Sequence, residues 1–356
     1  MTATTASLLL GPGAPDTRGW PSLPYVVAVS GEFDADFERR ARSRARAAGR
    51  PLLSIRIEPS EALIGPIDNG TGGACAGCAH TRNPAPVTAV PPFGLDRLIA
   101  AYLPGLATTE LLPGDLVALC ADGTVRRHRI APATDCPVCG RSRADGRADQ
   151  PPPIRTLDRH PATGPLSTRG GTPFGFDPAR VRREVLDRRY GPVDRLRRKG
   201  LAAFAMTEAR VRGSEYLGYG RGSTYRSADI VAVLEAYERF ASIPREAPVV
   251  RGACRADLGD ITIDPTTLGT YTDEQLASPH TRVRRYTDRT PMDWVWGHRL
   301  DDGRPLLVPA EIGFYRYAYG DGERVLFAES SSGSALGSSY PEAALHSLIE
   351  LAERDA

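Results

Sequence analysis

Residues 350–356, ELAERDA, place acids at helical spacing at the close of the sequence, and residues 235–239, EAYER, carry the same E-x-x-E-R form earlier in the chain. With about 100° of rotation per residue, Glu342, His346, Glu350 and Glu353 fall at roughly 0°, 40°, 80° and 20°, inside one arc of a helix over PEAALHSLIELAERDA. Leu345, Leu348, Ile349 and Ala352 take the other side. Like charges at this spacing repel by about a few tenths of a kcal/mol per pair. Spacing alone leaves two readings open: the wet face of an amphipathic helix, or a magnesium site in which carboxylate oxygens bridge the cation to nucleotide phosphates. Pro341 stands where a first helical turn begins, behind a Ser/Gly-rich loop whose N–H groups can meet an anion. Glu235 and Glu238 also share a face, with Arg239 beside them as a phosphate partner. No Walker A sequence is present. The stretch GYGRGSTYR reads either as turn chemistry or as backbone brought close to phosphate.

Outward from these helices, the second half reads as an opening helix in DPARVRREVLDRRY, then GLAAFAMTEARV, the glycine-rich stretch and a helix over SADIVAVLEAYERF. Successive strands follow in MDWVWGHRLDDGRPLLVPAEIGFYRYAYG, with a turn at Asp301-Asp302-Gly303. The first half reads as a strand in LPYVVAVSG, an arginine-rich helix capped by Asp34, a strand in PLLSIRIEP, a Gly-rich loop GPIDNGTGGACAGCAH, a helix in LDRLIAAYL, and two strands joined at Asp122-Gly123. Strand, helix, strand at this spacing predicts an α/β unit. Residues 141–175, rich in Pro, Arg and Gly and without apolar period, read as a mobile linker.

At 356 residues the chain accommodates two domains. Its 45 basic and 43 acidic residues nearly balance, and Lys199 is the only lysine. The runs RRARSRARAAGR and DRLRRKG read as solvated helix faces, so no nucleic-acid partner is expected. The start lacks a basic n-region and no run approaches membrane-spanning length, which points to a cytoplasmic protein without a membrane partner.

Four of the six cysteines form two C-x-x-C pairs, Cys75 with Cys78 and Cys136 with Cys139. In a reducing compartment this pairing favours a metal over disulfides, and four thiolates would make a closed, structural zinc site. The long gap between the pairs leaves free or redox thiols as the alternative. His80 is the substitute ligand, or else a surface histidine beside the site. Cys120 and Cys254 read as buried fillers.

ESSSGSALGSSYPEAALHSLIELAERDA and GYGRGSTYRSADIVAVLEAYERF, with LLVPAEIGFY between them, resemble segments of YcaO-domain proteins over roughly residues 178–356. IGPIDNGTGGACAGCAHTRN and GTVRRHRIAPATDCPVCG are similar to the cysteine-bearing stretches of the ubiquitin-activating-like, leader-binding portion of azole-forming peptide maturases. The resemblance implies an ATP-dependent cyclodehydratase, of the kind that makes thiazole/oxazole-modified microcins. It turns Cys, Ser or Thr of a ribosomal precursor peptide into thiazoline or oxazoline rings. By the same resemblance Glu235 and Glu238 contact Mg2+ and nucleotide, Glu342, Glu350 and Glu353 are acidic ligands of Mg2+, and Arg354 lies on the phosphate side. Ser338 falls at a polar ligand position, and Cys75, Cys78, Cys136 and Cys139 hold Zn2+.

The implied partners are the leader and core of the precursor, a second cyclodehydratase chain, a flavin dehydrogenase that oxidises azolines to azoles, and a second copy in a homodimer. Val231, one turn before Glu235, departs from the small polar residue usual there, and a YcaO domain continues beyond the second E-x-x-E-R. The expected fold is thus α/β (α+β): a flexible N-terminus (1–23), a partial α/β zinc-binding module (24–140), the linker (141–175) and an incomplete YcaO-like α+β domain (176–356). A non-catalytic leader-binding or scaffold subunit that needs a partner YcaO chain is the alternative.

Overall fold

In the computed structural model, residues 8–70, 73–84, 94–106, 112–133, 136–140, 150–157, 178–200, 203–243, 249–269, 271–315, 317, 325–328, 330–337 and 339–356 are described. The architecture is mixed α+β, as expected. The chain divides into two compact units, Met1–Arg141 with Ala179–Arg195, and Ser142–Pro178 with Leu196–Ala356.

The first unit is built on a six-stranded sheet in sequence order, β1 (Leu8–Leu10), β2 (Val26–Ser30), β3 (Leu52–Glu58), β4 (Glu61–Asp68), β5 (Asp115–Cys120) and β6 (Val125–Arg129). β1, β2 and β3 are parallel, and the remaining pairings are antiparallel. The parallel pair β2 and β3 is joined by α1 (Ala35–Ala47), whose cap is Asp34, accepting the Phe37 N–H at 2.9 Å. α2 (Ala76–Arg82), α3 (Leu95–Leu106) and α4 (Pro178–Val185) complete the helices around this sheet.

The period of two along each strand sorts the core into two faces. Val27, Val29, Leu53, Ile55, Ile64 and Val117 pack against Ile99 and Leu103 of α3. On the opposite face Val26, Ala28 and Leu52 meet Phe37, Ala41 and Ala45 of α1, while Leu63, Leu116 and Ala118 meet the cysteines.

The Gly-rich stretch expected as a loop is partly regular. β4 runs through GPID, fully buried, and α2 begins at Ala76. The breaker signal of Gly65-Pro66 misleads here because both residues sit inside the strand, next to a shift in register with β3. Gly65 has φ +105° and faces the Asp115 carbonyl of β5, a place no side chain fits.

The second unit carries a three-stranded sheet, β7 (Val193–Gly200), β8 (Ala205–Val211) and β9 (Leu217–Gly222), covered by the long α5 (Tyr225–Ser242). After β10 (Val249–Ala253) come two short helices, α6 (Arg255–Leu258) and α7 (Asp273–Ala277). β11 (Met292–His298) and β12 (Pro305–Pro309) then form a hairpin beside β10, turning at Gly303 with φ +72°. Where the reading as successive strands ran on through AEIG, the chain forms a short helix instead, α8 (Ala310–Gly313). The last helix is α9 (Tyr340–Asp355), with Ser339 at its cap and Pro341 in its first turn.

GYGRG, left open between turn chemistry and backbone close to phosphate, lies in strand β9, and α5 packs almost on its backbone. A Cβ at Gly218 would collide with the backbone of Ala232 and Ala236, one at Gly220 with Ala228, and one at Gly222 with Ser227. Within the segment expected as a mobile linker, residues 150–157 are tied down in the second unit. Arg155 N–H donates to the Gly303 carbonyl at 2.9 Å, His298 Nε2 lies 3.1 Å from the Pro153 carbonyl oxygen, and the Arg155 guanidinium covers the Tyr340 ring at 3.9 Å. The rest of that segment lies outside the described residues. No described helix is long and apolar enough to cross a membrane.

Gly220→Ala is expected to destabilise the protein by about 2–3 kcal/mol in denaturant unfolding, since backbone rather than a movable side chain stands in the way. Gly105→Ala, where no atom lies within reach of a Cβ, is the control and should be neutral or slightly stabilising.

Candidate functional site

The helices bearing the two E-x-x-E-R motifs are built alike. In α5 the Arg239 guanidinium donates to Glu235 Oε1 at 3.1 Å, and in α9 Arg354 donates to Glu350 Oε1 at 2.8 and 3.1 Å, each an i,i+4 pair. The second oxygen of each acid takes a backbone donor. Tyr219 N–H of β9 reaches Glu235 Oε2 at 3.0 Å, and Gly333 N–H of the serine-rich loop reaches Glu350 Oε2 at 3.3 Å.

Between them stands Glu238. It is half-buried, and its carboxylate has no hydrogen-bond donor or close ion pair among the described residues. Burial is the main cause that pushes its carboxyl up to about 7. Arg239 opposes the rise, whereas the charges of Glu350 and Glu235 add to it. The two motifs, more than a hundred residues apart in sequence, therefore bring Glu235, Glu238 and Glu350 within electrostatic reach of one another.

The serine-rich loop closes over the polar side of α9. His346 Nδ1 lies 2.8 Å from the Leu336 carbonyl oxygen, and Ser347 Oγ donates to the Gly333 carbonyl at 2.6 Å. The His346 and Glu350 part of the stripe that spacing left open as a wet face is thus covered. Leu345, Leu348, Ile349 and Leu351 are instead 51, 47, 46 and 45 % exposed, while the Glu350 side chain is 28 % exposed. Of the other expected ligands, Glu342 is half-buried in the first turn of α9, Glu353 is exposed, and Ser338 lies outside the described residues. Tyr315, under the Arg239 guanidinium at 5.3 Å, was not legible from spacing, because only the fold joins residues 239 and 315.

In the first unit, Cys75, Cys78, Cys136 and Cys139 converge, all four sulfurs within 4.8 Å of one another. The closest separations are 3.3 Å for Cys78 with Cys139, 3.6 Å for Cys75 with Cys136 and 3.9 Å for Cys75 with Cys78. A tetrahedral ion with Zn–S near 2.3 Å needs sulfurs about 3.8 Å apart, a spacing that these separations bracket, so the cluster could hold a metal ion. Backbone N–H groups point at the sulfurs, Ala133 at Cys78 and both Val138 and Cys139 at Cys136, each at 3.4 Å, which favours thiolates. Hydrogen bonds from the neighbouring thiols hold Cys136 well below the usual thiol range. Gly77 is required by this packing, since a Cβ there would sit 2.7 Å from Cys136 Sγ. His80 is not one of the four. Its ring stacks on Phe33 at 3.9 Å.

Residues 219–356 match the family model described as YcaO cyclodehydratase, ATP- and Mg2+-binding, and so carry a YcaO domain. An uncharacterised protein of Methanothermobacter thermautotrophicus is 28% identical over 170 residues, covering 47% of this chain and 40% of its own. Two solved structures are similar in fold at 17% identity. A heterocyclase in complex with substrate and cofactor has a TM-score of 0.65, covering 97% of this chain and 56% of its own. The heterocyclase TruD has a TM-score of 0.57, covering 99% and 54%. The chain spans about half the length of these structures, and less of the curated relative.

If Glu350 acts on Glu238 through space, Glu350→Gln should lower the Glu238 carboxyl from about 7 toward the ordinary carboxylate range. A carboxyl-carbon NMR titration reads this directly, and an unmoved Glu238 midpoint would show that the helices do not converge.

Proposed function

We propose that this chain takes part in the ATP-dependent cyclodehydration of Cys, Ser or Thr in a ribosomally made precursor peptide, giving thiazoline or oxazoline. The observation that carries the reading is Glu238, a half-buried carboxylate held near neutrality between Glu235 and Glu350 with no donor of its own. A protein keeps such a cluster at a cost unless a divalent cation offsets the charge, and Mg2+ takes oxygen ligands while keeping one face for phosphate. The YcaO match over the same residues supports ATP and Mg2+ as the cofactors.

In this reading Glu235, Glu238, Glu342, Glu350 and Glu353 hold Mg2+ directly or through water. Arg239 and Arg354, now paired with Glu235 and Glu350, turn to phosphate oxygens, and Ser338 contributes from the loop. ATP supplies the γ-phosphoryl group that converts the amide oxygen into a leaving phosphate. The thiol or hydroxyl of the cyclised residue gives up its proton as it adds to the preceding carbonyl carbon and closes the ring; the former amide oxygen, phosphorylated by ATP, then departs as phosphate, and loss of the amide N–H proton leaves the C=N bond of the azoline. The chain's own residues neutralise the developing charge and hold the reacting groups in line.

Cys75, Cys78, Cys136 and Cys139 hold Zn2+ in a closed shell of four thiolates, with no position left for substrate. Its role is to join α2 to the segment after β6. Cys78→Ser should lower zinc content by atomic absorption and reduce the melting temperature, with loss of the first unit's fold in the chelated protein.

A second reading is favoured by one observation, the exposed leucines and isoleucine of α9. It is a leader-binding or scaffold subunit, inactive by itself, whose site is completed by a partner YcaO chain. Peptide-dependent ADP release separates the two readings. Turnover by the chain alone, reduced at least about a hundredfold by Glu350→Ala, supports the first; tight peptide binding with turnover only on addition of a second chain supports the other. Turnover unchanged by Glu350→Ala would sink the site.

A further inference from the structure

We infer that Tyr315 is a positioning residue that holds Arg239 ready for a phosphate, and through it sets the affinity of the acidic cluster for a nucleoside triphosphate. The inference rests on the reading of that cluster as a nucleotide site, and it adds a residue that lies outside both E-x-x-E-R motifs.

The two motif arginines sit in unlike surroundings. Arg354 donates through both Nε–H and Nη2–H to one oxygen of Glu350, at 3.1 and 2.8 Å. Its side chain is 54 % exposed, and no ring lies against it among the described residues. Arg239 makes a single hydrogen bond, from Nη2–H to Glu235 Oε1 at 3.1 Å, and its other N–H groups have no acceptor among the described residues. Yet its side chain is 18 % exposed. A guanidinium this covered, with most of its donors unused, needs another source of stabilisation.

The face of Tyr315 supplies it. The Arg239 Cζ lies 5.3 Å from the centre of that ring, within the range at which a cation is attracted to an aromatic face. The ring is fixed by contacts that do not involve Arg239. Tyr315 N–H donates to the carbonyl of Ser242, the last residue of α5, at 3.0 Å. Its ring meets Tyr216, just before β9, edge to face with centroids 5.6 Å apart. The Tyr315 hydroxyl makes no hydrogen bond among the described residues, so what it offers Arg239 is the ring alone.

A flat guanidinium laid on a ring loses freedom before any ligand arrives, so taking a phosphate oxygen through its in-plane N–H donors demands less further ordering. Arg239 lies within electrostatic reach of Glu238, as Glu235 and Glu350 do. A triphosphate carrying Mg2+ suits this arrangement, since the acids meet the cation and the guanidinium meets the anion in one cluster.

Calorimetric titration of the full chain with Mg2+ and a non-hydrolysable ATP analogue is the test. Tyr315→Leu should weaken binding about fivefold, whereas Tyr315→Phe, which keeps the ring, should stay within about twofold. Arg239→Gln should weaken binding about tenfold, and adding Tyr315→Leu to it should change nothing further. Undiminished binding in Tyr315→Leu, or an equal loss with and without Arg239, would overturn the inference and leave the nucleotide site standing. An unaltered chain with no affinity for the analogue would sink the nucleotide reading and the inference with it. If Tyr315→Leu fails to fold, NMR of the unaltered chain decides, with the Arg239 Nε–H signal assigned by its loss in Arg239→Gln. That signal should show cross-relaxation to the Tyr315 ring protons with and without the analogue, and should shift when the analogue is added. Absence of either effect would reject the role of Tyr315.

Discussion

The backbone contact between α5 and β9 governs the second unit. Gly218, Gly220 and Gly222 alternate along the strand on the side that faces the helix, and Ala228, Ala232 and Ala236 recur at four-residue steps on the facing side of α5. Small residue against absent side chain lets the two backbones approach as ordinary side chains would forbid. That contact sets both the height of α5 over the sheet and its rotation about its own axis. Glu235, next to Ala236, is then brought onto the Tyr219 N–H, and Glu238 is turned toward α9. Buried Asp229 fastens the start of the same helix through Arg198 and Thr207, at 2.7 and 2.9 Å.

Charge accumulates where this packing leaves it. Glu235 and Glu350 are each satisfied by an arginine one turn later and by one backbone N–H, whereas Glu238 is left with repulsion and desolvation. The serine-rich loop, bound to α9 through His346, Ser347 and Glu350, walls the cluster from one side. The price of this arrangement is an amphipathic helix turned partly inside out, with Glu350 covered by the loop and its leucines half exposed. Burial of four such apolar side chains is worth on the order of several kcal/mol. A surface that forgoes so much is ordinarily an interface.

The first unit answers to a different constraint. Its sheet is a conventional two-faced core, but half of one face is covered by sulfur and short loops in place of a long helix. Two C-x-x-C turns brought together by β5 and β6 gather four cysteine sulfurs within reach of one metal ion. Gly77 keeps the space in which Cys136 approaches α2.

The two acidic helices, the α1 cap at Asp34, the β5–β6 turn and the pairing of the four cysteines are local facts, carried by spacing and turn chemistry, and the sequence alone determined them. The mixed α+β class followed from the same signals. Spacing did not distinguish a wet carboxylate stripe from a covered one, because a helix wheel says which residues share a face and not what that face meets. Nor did it reveal β4 through Gly65-Pro66, β9 through GYGRG, or the anchoring of residues 150–157, since in each case a neighbouring strand or helix overrides the local preference of Gly and Pro. The meeting of Glu238 with Glu350 and of Arg239 with Tyr315 was decided by tertiary structure alone. Electrostatic repulsion and ring contact act through space, between atoms whose distance no local pattern encodes.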